Sequence, residues 1–210
     1  MRKVSPLVKG GVVTGAALAA SLVLAISPAS AAGTWSVTGG GAFTATSTNT
    51  VLKDTVTGTT LTCKTSSATG SAPNTTGASG TGIASIAGVT WTTCSGPLGI
   101  TFTVTADNTP WALNAVSYSG GVTTGTLTGV EAHISGLGCT ATFAGASATT
   151  PATLDVSYTN STHDLKVLGT GNLHAYNVSG TCLGLINTGD ATSYTGDYIV
   201  SPSTLQITSP

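Results

Sequence analysis

The 210-residue sequence has very little charge, with six Lys and Arg residues and seven Asp and Glu residues. Beyond residue 31 there is no arginine, and three lysines are set against six aspartates and one glutamate, so this part carries a formal charge of 3 − 7 = −4. Proteins that bind nucleic acid neutralise its phosphates with clustered lysine and arginine. The composition therefore excludes nucleic acid as a partner, and it excludes an anionic membrane patch for the same reason.

Residues that favour helices are also scarce. Beyond residue 31 the sequence has one glutamine, one glutamate and no methionine, whereas 41 residues are threonine. Helices need long polar and apolar side chains at a spacing of 3.6 residues, so this composition indicates strands. In Ile100–Thr105 apolar residues alternate with threonine, as in a sheet with one buried and one solvent-exposed face. Strands are predicted at 38–46, 55–64, 83–93, 100–107, 112–119, 123–134, 140–144, 153–158, 164–167, 172–179 and 194–200, and 66–82 is predicted to be a long exposed loop.

Residues 1–31 have the pattern of an export signal. A positively charged start is followed by an apolar run over 11–26 and by the small residues Ala29-Ser30-Ala31, which suit signal peptidase. The apolar run is shorter than the roughly 20 residues needed to span a bilayer. We therefore predict a secreted chain of residues 32–210 without a membrane span.

The four cysteines, Cys63, Cys94, Cys139 and Cys182, form no Cys-x-x-C pair. This absence argues against a thiol redox motif and a zinc knuckle. An even number of cysteines in an exported chain predicts two disulfides, for which three pairings exist.

Tryptophan and cysteine mark a weak duplication. Trp35 and Cys63 are 28 residues apart, as are Trp111 and Cys139. The second cysteine of each half lies in the context Thr-Cys-x-Gly. We expect the two tryptophans to begin equivalent strands and to pack in the core.

If the halves descend from one unit, the pairing that respects the duplication is Cys63 with Cys94 and Cys139 with Cys182. The pseudo-repeats then cover about 35–106 and 111–200 of a single domain, 32–210. The predicted fold is all-β: a disulfide-stabilised β-sandwich or partly closed barrel with weak internal duplication.

Common catalytic motifs are absent: the sequence has no G-x-S-x-G, H-E-x-x-H or Walker loop. Glu131 and His133 are two residues apart in a predicted strand, so they face one side and form the best local candidate for a base with an orienting carboxylate. Charged pairs on a strand face more often serve solubility. We therefore predict no catalytic residues, and a secreted hydrolase that uses Glu131 and His133 is the alternative.

Metal binding has weak support. Parallel strands across the Cys139–Cys182 bridge would bring His133 close to His174, whereas antiparallel strands would separate them. Two Thr-Gly-Asp triplets end at Asp190 and Asp197 and offer oxygen ligands for calcium, but their spacing matches no known calcium loop. No metal and no cofactor are predicted.

Aromatic residues are the remaining candidates for contact with a partner. Exposed aromatic faces stack on sugar rings or anchor protein partners. Trp91, Tyr118 and Tyr194, together with Glu131 and His133, are the predicted binding residues.

A family resemblance rests on four features of the sequence. They are an export signal ending in Ala-Ser-Ala, the repeated Trp–Cys spacing, Thr/Gly/Ala-rich strands and the block 177–190. The chain resembles small secreted Thr/Gly-rich proteins of filamentous actinobacteria, and the likeness covers most of the sequence after residue 31. The resemblance implies a bacterial extracytoplasmic location, and it brings no activity, cofactor or site residues.

Because ionisable residues are few, we expect a secreted non-catalytic binding or structural protein of the bacterial cell surface or medium. Its partner would be a cell-surface protein or polysaccharide. Besides the hydrolase, an envelope pore-forming β-barrel is an alternative suggested by alternation with Thr and Gly through 111–134. The 5% aromatic content and the two disulfides argue against the pore.

Overall fold

The structure, a computed structural model, describes residues 34–180 and 182–210, and the predicted export signal lies outside them. Within the described residues all regular structure is strand, apart from one turn of 3-10 helix at Pro97–Gly99. No helix in this part of the chain is long and apolar enough to cross a membrane. The all-β prediction is confirmed. The strands are β1 Trp35–Thr38, β2 Gly41–Ser47, β3 Thr50–Asp54, β4 Thr60–Ala72, β5 Thr75–Ala78, β6 Ala84–Ser95, β7 Thr101–Asp107, β8 Trp111–Ser119, β9 Val122–Gly136, β10 Cys139–Ala144, β11 Ala152–Thr159, β12 Asp164–Gly171, β13 His174–Gly180, β14 Thr192–Ser201 and β15 Gln206–Thr208.

Twelve strands form one antiparallel sheet whose pairs close into a ring. From β9 the hydrogen bonds run to β11, β12 and β14, then through β2 and β3 to β4 and β6, and return through β7 and β8 to β9. Strands β10 and β13 extend the sheet beside the second half of β9. The segment 189–192 lies between β13 and β3. Its backbone is hydrogen-bonded to Ala175 of β13, and its last residue pairs with Asp54 of β3.

Alternating side chains fill the interior of the ring. On β11 the inward residues Ala152, Leu154, Val156 and Tyr158 are buried, while the residues between them are partly exposed. The same period of two is clear in β2 and in the second half of β14, and the buried apolar side chains of the strands form one cluster. Burial of this cluster is the main favourable contribution to folding.

The stretch 66–82, predicted to be an exposed loop, is mostly strand, so that prediction is wrong. Strand β4 continues to Ala72, and β5 follows. The inward positions of this part of β4 are taken by Ser66, Ala68 and Ala72, which are buried. Because these side chains are small and weakly apolar, their alternation with Ser and Thr does not register as hydrophobic periodicity.

A small sheet with the strand order β15–β1–β5 covers one end of the ring. Asn160, which follows β11, holds it in place: its side-chain amide donates to the carbonyl of Ile207 (2.8 Å) and its side-chain oxygen accepts from the Ile207 N–H (3.0 Å). The hydroxyl of Thr123, at the start of β9, also reaches this carbonyl (3.5 Å). Strand β9 runs from this sheet to the opposite end of the ring, where it ends at Gly136.

Two disulfides are present, and their pairing is the one that the duplication predicts. Cys63 and Cys94 lie opposite each other on β4 and β6. Cys139 begins β10, and Cys182 follows β13, its antiparallel neighbour.

Trp35 and Trp111 each begin a strand and are buried, but Trp35 lies in the small sheet and Trp111 in the ring. The proposed duplication itself stays a prediction.

Candidate functional site

Glu131 and His133 lie on the outer face of β9. Their neighbours Ala132 and Ile134 line an apolar cavity inside the ring, and side chains alternate between the two faces of a strand. His133 Nδ1 is 2.8 Å from a carboxylate oxygen of Asp107 on β7. The residue that orients His133 is therefore Asp107 and not Glu131.

Glu131 has a different partner. Its carboxylate accepts a hydrogen bond from the side-chain amide of Asn108, in the turn after β7. The His133 and Asp107 side chains are 45% and 32% exposed. An ion pair exposed to this degree contributes only about 0–1 kcal/mol to stability. What the structure assembles here is a solvent-facing pair on an open sheet surface.

Two of the aromatic residues predicted to bind a partner pack inside the ring. The Trp91 and Tyr194 rings meet edge to face, with centroids 6.3 Å apart, and the Trp91 indole N–H donates to the Tyr194 hydroxyl (2.8 Å). That hydroxyl is hydrogen-bonded to Tyr198, whose own hydroxyl is 2.9 Å from Ser66 Oγ. Burial raises the pKa of both tyrosines in this network. The third residue, Tyr118, is partly buried against the core.

The interior of the ring is packed too tightly to be a ligand pocket. Its apolar cavities measure about 40 to 50 Å³ each. Sites for small molecules and cofactors are typically about 300 to 1,000 Å³. A groove of about 340 Å³ lies on the outer face beside Val116 and Leu168 and is open to solvent.

The histidines are not brought together. His133 on β9 and His174 on β13 are separated by β10, which pairs antiparallel with both strands. Across residues 34–180 and 182–210 no group of three or more His, Cys, Asp or Glu side chains is placed to hold a metal ion.

Three exposed leucines occupy turns at the end of the ring opposite the small sheet. Leu98, Leu137 and Leu183 are 91%, 75% and 66% exposed, and each is followed by glycine. The three turns line one shared depression through Pro97, Leu137 and Leu183. We call this surface, made of the turns 97–100, 136–139 and 182–185, the leucine end.

Each leucine of this surface adopts a backbone conformation that leucine disfavours. Their φ angles are +58°, +40° and +55°, and the glycines that follow have φ of +73°, +73° and +68°. Two successive residues with positive φ define a type I′ turn, in which Asn, Asp or Gly usually takes the first position. A left-handed conformation costs a residue with a Cβ roughly 1–2 kcal/mol. Three such turns with leucine at the tip therefore lower the stability of the fold relative to turns with Asn, Asp or Gly at that position.

The leucine turns carry no charged side chain, and a hydrogen bond and a disulfide tie them to the neighbouring structure. Residues 95–100, 135–139 and 182–186 contain no ionisable side chain apart from the disulfide-bonded cysteines. The neighbouring β3–β4 turn adds Val56, which is 66% exposed. The Thr57 hydroxyl donates to the Leu185 carbonyl (2.7 Å), which ties this turn to the third leucine turn. The result is an apolar surface on a rigid, disulfide-linked support.

The pattern of strands and turns did not identify these leucines. Their signal in the sequence is the dipeptide Leu-Gly at a hairpin, where Asn-Gly is the usual pair. A comparison with protein-family models, curated proteins and solved structures finds no match to the chain.

Proposed function

We propose that the chain is a secreted, non-catalytic binding protein of the bacterial cell surface or medium, which docks through the leucine end onto an apolar patch of a partner protein. The observation that carries the proposal is the presence of Leu98, Leu137 and Leu183 at exposed positive-φ positions of three neighbouring turns. Strained residues that the surrounding structure holds in place are concentrated at functional sites. Two disulfides and the hydrogen bond from Thr57 to the Leu185 carbonyl supply that support.

The chemistry of the leucine end favours a protein over a polysaccharide or a lipid surface. Sugar rings are recognised largely by exposed aromatic faces, and the three leucine turns contain no aromatic residue. Membrane-surface segments present Trp, Tyr, Lys or Arg at the headgroup level, and the leucine turns contain none of these. An apolar patch on a protein matches uncharged leucine tips without needing charge complementarity.

Three leucines are enough for a specific, reversible contact. Full burial of one leucine side chain contributes roughly 1.5–3 kcal/mol, and a few central residues usually supply most of the binding energy of an interface. Loss of one leucine should therefore weaken binding about ten- to hundredfold.

The test is binding of the purified protein to washed cells of the bacterium that carries the gene. The triple variant L98N/L137N/L183N should lose more apparent affinity than the ten- to hundredfold expected for one leucine, because asparagine suits the turns but offers no apolar contact. The matched control is V116N/L168N, which removes exposed apolar side chains from the outer groove and should bind as wild type. Digestion of surface proteins with protease before the assay should abolish binding.

Three outcomes would contradict the proposal. The triple variant could bind as well as wild type, or protease-treated cells could bind as well as untreated ones. A wild-type dimer in light scattering that the triple substitution dissociates would make a second copy of the chain the occupant of the leucine end.

A further inference from the structure

Beneath the leucine end, the segment 189–192 brings two carboxyl groups together. The Ala191 carbonyl accepts hydrogen bonds from the Thr55 N–H (2.9 Å) and the Thr55 hydroxyl (2.7 Å). Thr192 pairs directly with Asp54 across β14 and β3. Asp190 is thereby held beside the end of β3 that carries Asp54.

Asp54 is deeply buried, and one of its oxygens has no hydrogen-bond donor. The residue is 3% exposed, and Oδ1 accepts from the N–H groups of Val56 and Thr57 (2.9 Å each). No donor reaches Oδ2, and the Thr192 hydroxyl, in a residue 8% exposed, also has no hydrogen-bond partner. Both residues line the depression under the leucine turns. Buried polar atoms left unpaired by the protein are a sign of a bound ion or water.

Asp190 supplies the second carboxyl. Its Oδ2 accepts from the N–H and the side-chain amide of Asn187 (2.9 Å each). Burial opposes ionisation of this carboxyl, but the hydrogen bonds from Asn187 and a hydrogen bond with the Asp54 carboxyl outweigh it and lower the pKa of Asp190. Two adjacent carboxylates repel each other unless a proton or a cation lies between them.

We propose that Asp54, Asp190 and Thr192 bind a calcium ion. Carboxylate and hydroxyl oxygens are the ligands that this hard cation prefers, and backbone carbonyls or water can complete its shell. With two carboxylates, the site should have the weak affinity of extracellular calcium modules, with a Kd of about 10⁻⁴ to 10⁻³ M. Of the two Thr-Gly-Asp triplets in the sequence, only the one ending at Asp190 meets a second carboxyl in this way. The inference is independent of the proposed function.

The test is thermal unfolding of the protein with and without calcium chloride. At about 10 mM calcium the unfolding midpoint should rise by roughly 3 to 10 °C in wild type, and less with magnesium, which demands stricter octahedral geometry. The variants D54N and D190N should lose the rise. The matched control D197N, which removes the carboxylate of the other triplet, should keep it.

Asp54 also supports the turn after β3, so T192V provides a second probe that leaves both carboxylates in place. It should fold and show a calcium response at several-fold higher concentration. No rise in wild type, or an equal rise in D54N and D190N, would overturn the proposal. A shared proton in place of calcium would appear as a calcium-insensitive midpoint that falls as the pH rises in wild type but not in D190N, and it would overturn the proposal as well.

Discussion

The double substitution C139A/C182A is expected to lower the free energy of unfolding by about 4 kcal/mol. This disulfide joins residues 43 apart in sequence, and the chain-entropy estimate for a loop of that length is about 4 kcal/mol. The closed loop contains β10, β11, β12 and β13, so the unfolded chain gains wide freedom when the link is removed. A typical domain is stable by only about 5–15 kcal/mol.

The variant C63A/C94A should lose slightly less, because its loop is 31 residues long. Urea unfolding of both variants at one temperature measures the two losses. Reduction of wild type with a thiol provides the control, since it opens both links without changing a side chain. A loss below about 1 kcal/mol for C139A/C182A would show that this link does not constrain the unfolded chain.

Stability should fall steeply in alkaline solution. Burial raises the pKa of Tyr198 and Tyr194 above the ordinary value of 10, and it raises the pKa of Tyr158 to about 12. Above pH 10 the unfolded chain releases these phenolic protons while the folded chain retains them. Unfolding therefore becomes more favourable as the pH rises, by up to about 1.4 kcal/mol per pH unit for each buried tyrosine.

For Tyr194 and Tyr198 together, the free energy of unfolding should be clearly lower at pH 11 than at pH 9, because both folded-state pKa values are raised. Tyr158 extends the loss towards pH 12, where its folded form begins to ionise. Urea unfolding across this range measures the slope. Y198F should reduce the slope by about a third to a half, and Y176F, which changes a partly exposed ring, serves as control. An unchanged slope in Y198F would refute the role of the buried network.

Strand positions could be read from the sequence wherever large apolar residues alternate with threonine. Ile100–Thr105 shows that pattern, and β7 occupies 101–107. The alternation fails as a signal where the core is built from small residues, as in Ser66–Ala72 of β4. The short strands β3, β5 and β15 are missing from the predicted set, because three to five residues carry too little periodicity to stand out. The disulfide pairing is the one that the repeated Trp–Cys spacing predicted, although the two tryptophans lie in different sheets.

The candidate site was much less accessible to sequence reasoning. Glu131 and His133 were singled out because ionisable residues are few, but the partner of His133 is Asp107, 26 residues away. The role of Leu98, like that of the other two tip leucines, depends on a backbone angle and on the meeting of three hairpins at one end of the ring. The only local signal of the backbone angle is the Leu-Gly dipeptide, and the meeting of the three hairpins has none.

The most direct test of the account is the free energy of unfolding of L98N/L137N/L183N beside that of wild type. If the leucines are kept for contact and not for packing, asparagine should relieve the strained turns. Stability should then be equal to wild type or higher by up to about 3 kcal/mol. A loss of more than about 1 kcal/mol would mean that the tip leucines help to hold the fold together, and it would contradict the account.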